Sequence, residues 1–295
     1  MAKYDDHQSS SYDTEYCSWS NSPDVDFALS DDNDWYIGQF VWTGFDYLGE
    51  PTPYNNDSWP SHSSLFGIID LANLPKDRYY LYRSVWNNTS HTLHVLPHWT
   101  WPGREGQVTP VMVYTDCPEA ELFINGVSQG RRRKWNTEKV SHEHDSLRVL
   151  RRYRLIWDNA VYMPGELKVV GYDISGQAAD SAYVRTAGKP HRLKVEQLNN
   201  DSLSDCHDLI LLRISMVDCS GVLCPHDSSN VIVSVLEGGE LVGIANGDPT
   251  CLVSLASHTM PLFNGELTCW VRRHACEDVR VIVESVDIPK VKIDL

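Results

Sequence analysis

Hydrophobic and polar positions change period along the chain, and each period predicts a different element. The run WYIGQFVW (35–42) is mostly apolar. That pattern suits a strand covered on both faces, as in a parallel sheet. Residues 1 to about 30 before it are polar, acidic and irregular, and DVDFALSDDNDW offers turn or cap signals ahead of the run. A proline-containing loop, GEPTPYNNDSWPSHSS, follows it. KDRYYLYRSVWNN (76–88) then reads as a helix after Pro75, with Tyr79, Leu81, Tyr82, Val85 and Trp86 on one apolar face. Strand, long loop and helix make one β/α unit of a barrel or doubly wound fold. Such a strand needs neighbours on both sides.

After about residue 90 the period shortens. TLHVLPHW, TPVMVYTD, AELFINGVSQG, RYRLIW and GELKVVGYDISGQAADSAYVRT read as short strands separated by turn residues, which predicts a sandwich. Asn125-Gly126 is a hairpin signal between two of them. AGKPHRL (187–193) reads as a linker. RLKVEQL, DLILLRISMVD, NVIVSVLEGGELVGIAN, LTCWVRRHA and VRVIVESVDI predict a second sandwich. The expected organisation is a β/α segment at 1–90 and sandwiches at 91–188 and 189–295.

Composition narrows the partners. The 295 residues carry a formal charge of −15 and a pI near 5.1. Neither a nucleic acid nor an anionic membrane surface suits that balance, whereas a neutral sugar does. Ten Trp and fourteen Tyr suit stacking on sugars, but for most of them the first reading is filling large β cores. The eight cysteines include no C-x-x-C pair, so free, mostly buried thiols are expected, with a disulfide between two of the six cysteines from Cys206 onward as the alternative, and no metal or other cofactor. The polar start, MAKYDDHQSS, has no signal-peptide core, and no run is long enough to span a bilayer. A soluble chain is expected; the export signal of any longer parent would lie outside it.

Several clusters could carry chemistry. Asp46 and Glu50 stand four apart, about 13 Å on an extended strand, and nothing marks them as an acid and nucleophile. His98-Trp99-Thr100-Trp101 puts two indoles on one face of an extended chain, fit for stacking on a sugar or for an internal interface. Arg131-Arg132-Arg133-Lys134 reads as an anion site or, more simply, as a solvated hairpin edge. Asn56, Asn88 and Asn200 begin glycosylation-type tripeptides, and Asn246-Gly247-Asp248-Pro249 is turn chemistry. There is no nucleophile elbow, phosphate loop, dinucleotide fingerprint or zinc-protease motif.

Three stretches carry a family resemblance. IGQFVWTGFDYLGEPTPY with SSLFGIIDLANLPKDRYYLYRSVW resembles the last strand and helix of the (β/α)8 barrel of glycoside hydrolase family 2, in its bacterial β-galactosidase-like branch. LHVLPHWTWPGREGQVTPVMVYTDCPEAELFINGVSQG resembles the Ig-like domain after the barrel. GIANGDPTCLVSLASHTMPLFNGELTCWV resembles the terminal Ig-like domain, with Ala245 replacing the first Gly of its G-N-G-D-P pattern. The resemblance implies a mainly β chain: two Ig-like sandwiches preceded by the last β/α unit of a barrel. It implies Trp42 as a wall of the sugar pocket, Asp46 and Tyr47 at its rim, and Trp19 and Trp59 as further rim candidates. The acid/base and nucleophile Glu of the family have no counterpart here, so hydrolysis by this chain alone is not expected. The implied partners are a β-galactoside-type glycan and either the missing barrel segment or a second copy at the exposed barrel edge. The competing expectation is a non-catalytic carbohydrate-binding or structural Ig-like module.

Overall fold

The computed structural model describes residues 12–51, 61–135, 146–198, 209–274 and 277–295. The chain forms two compact units. One comprises Met1–Ile68 and Pro75–Thr186, the other Ile69–Leu74 and Ala187–Leu295.

The first unit contains α1 (Pro23–Asp32), α2 (Asp77–Trp86), β1 (Leu93–Leu96), β2 (Val111–Thr115), β3 (Glu119–Ile124), β4 (Val127–Arg133), α3 (Ser146–Tyr153), β5 (Arg154–Trp157), β6 (Glu166–Tyr172) and β7 (Ala178–Arg185). All strand pairs are antiparallel, in sheets ordered β1-β2-β5 and β4-β3-β6-β7. Inward side chains of both sheets, among them Val111, Val113, Leu122, Leu155, Trp157 and Val169, make one core. Burying each such side chain is worth about 1.5–3 kcal/mol. The predicted hairpin turn is present: Asn125 and Gly126 adopt φ 50° and 81°, the doubly left-handed form that Asn-Gly accommodates.

Alternation along β2 explains why this sandwich is covered on its other side. Val111 and Val113 face the inner core, while Tyr114 faces out and meets Phe27, Leu81, Tyr82, Leu96 and Tyr153. α1 and α2 therefore pack on the outer face of the three-stranded sheet. α1 arises where the sequence suggested only turn or cap signals. Pro23 opens it, and Asp24 and Asp26 occupy the first turn, where a fixed φ and negative charge both favour a helix. RYRLIW, expected as one strand, is divided: α3 continues to Tyr153 and β5 begins at Arg154.

The main departure is at 35–42. The helix of the expected β/α unit forms as α2, but WYIGQFVW is irregular and belongs to no sheet. A strand exists only when neighbours accept its hydrogen bonds, and none flanks this run among the described residues. Trp35 is 77% exposed and Trp42 74%, and Ile37 and Phe40 are fully exposed.

The second unit contains β8 (Arg192–Gln197), β9 (Leu209–Val217), β10 (Asn230–Glu237), β11 (Gly239–Ala245), β12 (Thr259–Pro261), β13 (Glu266–Arg273), β14 (Arg280–Ser285) and β15 (Ile288–Asp294). Its sheets are ordered β12-β10-β14-β15 and β11-β13-β9-β8. Leu212, Ile214, Val231, Val233, Leu267 and Val281 lie in its core. The Asn246 motif is a structural turn. Asn246 Nδ2 donates to the Pro261 carbonyl (2.9 Å), and Asp248 Oδ1 accepts from the Thr250 amide and hydroxyl (2.8 and 2.7 Å). The strap Ile69–Leu74 lies on this unit, where the Thr268 hydroxyl donates to the Ala72 carbonyl (2.6 Å).

Candidate functional site

The site suggested by the sequence lies where the exposed run ends. After Trp42 the chain is held by the returning segment 62–68 rather than by barrel neighbours. Thr43 N–H donates to the Phe66 carbonyl (3.1 Å), and Ile68 N–H returns a bond to the Thr43 carbonyl (3.1 Å). Farther along, Ser64 N–H donates to the Tyr47 carbonyl (2.8 Å) and Gly49 N–H to the His62 carbonyl (3.0 Å). This hairpin-like pairing fixes residues 43–49. The Trp42–Thr43 peptide bond is cis.

Two of the three predicted substrate-binding residues are brought together. The Trp42 indole N–H lies near enough to the Tyr47 phenol to act on it, and the Tyr47 hydroxyl donates to Glu50 Oε2. The bond to Glu50 raises the Tyr47 phenol above its ordinary value. Trp42 thus shows an open indole face beside a polar chain that ends in a carboxylate. That combination can stack on the apolar face of a sugar and hydrogen-bond its hydroxyls. Sequence reading weighed Glu50 only as a catalytic acid, because its link to Trp42 through Tyr47 depends on the turn at 46–50.

The third residue, Asp46, points elsewhere. It is buried, with Oδ1 accepting the Gly67 N–H (2.8 Å) and Oδ2 2.5 Å from Lys76 Nζ. Burial pushes its carboxyl up, against the opposing pull of Lys76 and the Gly67 amide. Both oxygens are thus engaged in tying the 43–49 turn to the residue that precedes α2. Trp19, a further rim candidate, is exposed; Trp59 lies outside the described residues, as do the Asn56 and Asn200 tripeptides.

The other candidate clusters have structural partners. Trp99 is 0% exposed in the first core and donates its indole N–H to the Met163 carbonyl (2.9 Å). Trp101 packs on the same core, and its ring stacks on His98 at 4.0 Å. The two indoles do share a face, and that face is the core. A binding module that stacks sugars on this pair therefore has no open ring at Trp99. In the basic run, Arg131 and Arg133 both pair with Glu119 (2.7 Å each) on the edge strand β4. This is the solvated hairpin edge rather than an anion site. Six described cysteines are free thiols: Cys17, Cys117, Cys224 and Cys269 buried, Cys251 partly buried and Cys219 exposed. Burial pushes the Cys269 thiol up to about 12, far from a reactive thiolate.

Comparison with known proteins agrees with this architecture. Residues 106–179 match a model described as a domain of unknown function (DUF4982). Residues 193–294 match glycoside hydrolase family 2 C-terminal domain 5. The chain is 38% identical over 259 residues to β-galactosidase BoGH2A of Bacteroides ovatus, covering 87% of this chain and 28% of that protein. It is 32% identical over 222 residues to a putative β-glucuronidase of Formosa agariphila, covering 74% and 20% respectively. Among solved structures, a β-glycosidase from Bacteroides vulgatus superposes with a TM-score of 0.80 at 29% identity, over 98% of this chain and 34% of that one. The chain therefore spans under a third of the length of the curated relatives it matches. With its two antiparallel sandwiches and the helices packed on the first, the chain belongs to glycoside hydrolase family 2 and corresponds to the C-terminal portion of its members.

Proposed function

We propose that this chain supplies the C-terminal portion of a retaining, exo-acting glycosidase for terminal β-linked sugars, with β-galactosides as the foremost substrate. In this reading residues 1–90 complete a catalytic barrel, and the sandwiches at 91–188 and 189–295 support it. Trp42 forms a wall of the sugar pocket, Tyr47 and Glu50 offer polar contacts at its rim, and Asp46 positions the turn that carries them. Retaining hydrolysis requires two carboxyl groups roughly 5–5.5 Å apart, one protonating the leaving oxygen and one attacking the anomeric carbon. Asp46 is committed to Lys76 and Gly67, so the reading places both reacting acids outside these 295 residues.

The observation that carries this reading is the open indole of Trp42 at the end of an apolar run that has no sheet neighbours among the described residues. Four large apolar side chains between 35 and 42 face solvent, as at a surface awaiting a partner. The missing barrel segment is the intended cover, and a second copy is the substitute when it is absent.

The test is to incubate the chain with a chromogenic β-galactoside, alone and after co-expression with the part of the Bacteroides ovatus relative that this chain does not match. No turnover is expected alone. With the added part, turnover is expected and should drop on Trp42→Ala. Turnover by the chain alone that disappears with Glu50→Gln would overturn the assignment. Light scattering of the isolated chain should show association that Ile37→Ser with Phe40→Ser relieves; a monomer at all concentrations would remove the open-edge argument.

A further inference from the structure

The first sandwich gathers three metal-type donors that share no residue with the Trp42 site. His91 lies just before β1, and Asp116 and Cys117 follow β2 directly. β1 and β2 pair with Leu93 opposite Thr115, so the continued register sets His91 across from Cys117. His91 Nδ1 stands 2.7 Å from Asp116 Oδ2, and one donor atom from each of the three residues lies within 4.8 Å of the others. The donors are held in place. Asp116 Oδ1 accepts the Thr92 N–H (2.6 Å), and the Cys117 N–H donates to Thr115 Oγ1 (3.0 Å). Gly171 on β6 leaves the thiol its space, since a Cβ there would stand 2.9 Å from Cys117 Sγ.

The surrounding charge is mainly acidic. Asp116, Asp173 and Asp180 act on His91, and Asp116 and Asp180 act on Cys117. Lys134 opposes them from the side, its ammonium donating to the Thr115 carbonyl.

We propose that His91, Asp116 and Cys117 bind a divalent transition-metal ion, with Zn²⁺ best matched to the donor set. Imidazole, carboxylate and thiolate are the ligands this ion takes in tetrahedral sites. Bonds of roughly 2.0–2.3 Å put tetrahedral donors about 3.3–3.6 Å apart. The His91–Asp116 pair then opens slightly and the thiol closes in, a small adjustment for a histidine whose side chain is exposed. Binding forms metal–nitrogen, metal–oxygen and metal–sulfur bonds; the thiol proton goes to solvent, and the proton that His91 Nδ1 shares with Asp116 leaves to solvent from the imidazolium or moves to Nε2 in the neutral ring, which frees Nδ1 to ligate. Carboxylate and thiolate together balance the two charges of the ion, and water completes the tetrahedron. The ion clips the lead-in of β1 to the β2–β3 turn, so its role is structural.

Co²⁺ titration of the full chain tests this. One equivalent should bind and give thiolate-to-cobalt charge-transfer absorption. Cys117→Ser should abolish that band, and His91→Ala should weaken Co²⁺ binding at least roughly tenfold. Cys219→Ser, at the exposed thiol, should change neither. Zn²⁺ should displace the cobalt and raise the melting temperature of the wild type but not of His91→Ala. His91 is exposed, so loss of the fold is not expected in that variant, and circular dichroism checks it. A folded wild type that gives no stoichiometric band, or a band that survives Cys117→Ser, overturns the proposal.

Discussion

Arg154 is the most demanding residue of the first unit, and removing its partner gives the sharpest test of how α1 is held. Its side chain and that of Asp24 are both 0% exposed. The guanidinium forms a two-pronged bond, Nε to Asp24 Oδ1 at 2.8 Å and Nη2 to Oδ2 at 2.6 Å. Nη1 donates to the Tyr114 hydroxyl (2.7 Å) and the Asp13 carbonyl (3.2 Å). Asp24→Asn keeps the shape and removes the charge, which leaves the buried guanidinium without its paired carboxylate, with only the more distant Asp13 charge to act on it. That situation typically costs about 3–5 kcal/mol. With a urea slope of about 2 kcal/mol per molar, the unfolding midpoint of this unit should fall by roughly 1.5–2.5 M. The double variant Asp24→Leu with Arg154→Met removes both charges, and replacing a buried pair with apolar groups is often neutral or stabilising. It should therefore recover most of the loss. The assay is urea titration read by hydrogen exchange in peptides from β2 and β5, with β9 and β13 as the reference in the other unit. A shift in Asp24→Asn below about 0.3 M, or a double variant as unstable as the single one, would refute the view that this pair anchors α1 to the sheet.

Two further outcomes concern the second unit. Gly265 has φ 77°, and a Cβ there would stand 2.3 Å from the Cys224 carbonyl oxygen; Gly265→Ala should cost roughly 1–3 kcal/mol, measured as loss of protection in β9 and β13. Asp218 accepts the amides of Gly188 (2.7 Å), Ser220 (2.8 Å) and Val222 (2.9 Å). Burial would push its carboxyl up, but these backbone donors outweigh it and hold it below its ordinary 3.8. A depressed folded value means stability that is present above pH 3.8 and lost as pH falls through that lower value. Asp218→Asn should lower stability at neutral pH and flatten the acid limb of the stability profile; an unchanged acid limb would refute the assignment.

What the sequence reveals of this molecule depends on the range of the interactions that decide it. Sandwich strands were legible because burial alternates locally: β3 and β6 show their period of two within six or seven residues. Asn125-Gly126 was legible because a two-residue turn carries its own conformational demand. α1 was not, because its apolar face is small and it depends on Phe27 meeting Tyr82 and Tyr153 (ring centroids 5.2 Å each) from elements far along the chain. The irregular state of 35–42 is the same lesson reversed, since apolar content predicts burial but cannot supply the strand that accepts the hydrogen bonds. At the candidate site, the expectation of Trp42 as a pocket wall comes from family resemblance alone, while its exposure at the end of the run is a feature of the fold. That Asp46 serves Lys76 while Glu50 serves Tyr47 follows from the 43–49 turn, which pairs with residues 62–68. His91 and Cys117 are separated by twenty-five residues, so no ligand spacing announces them; they meet only through the register of β1 on β2. Chemistry that depends on a pairing register stays hidden until the pairing is known, whereas chemistry confined to one turn does not.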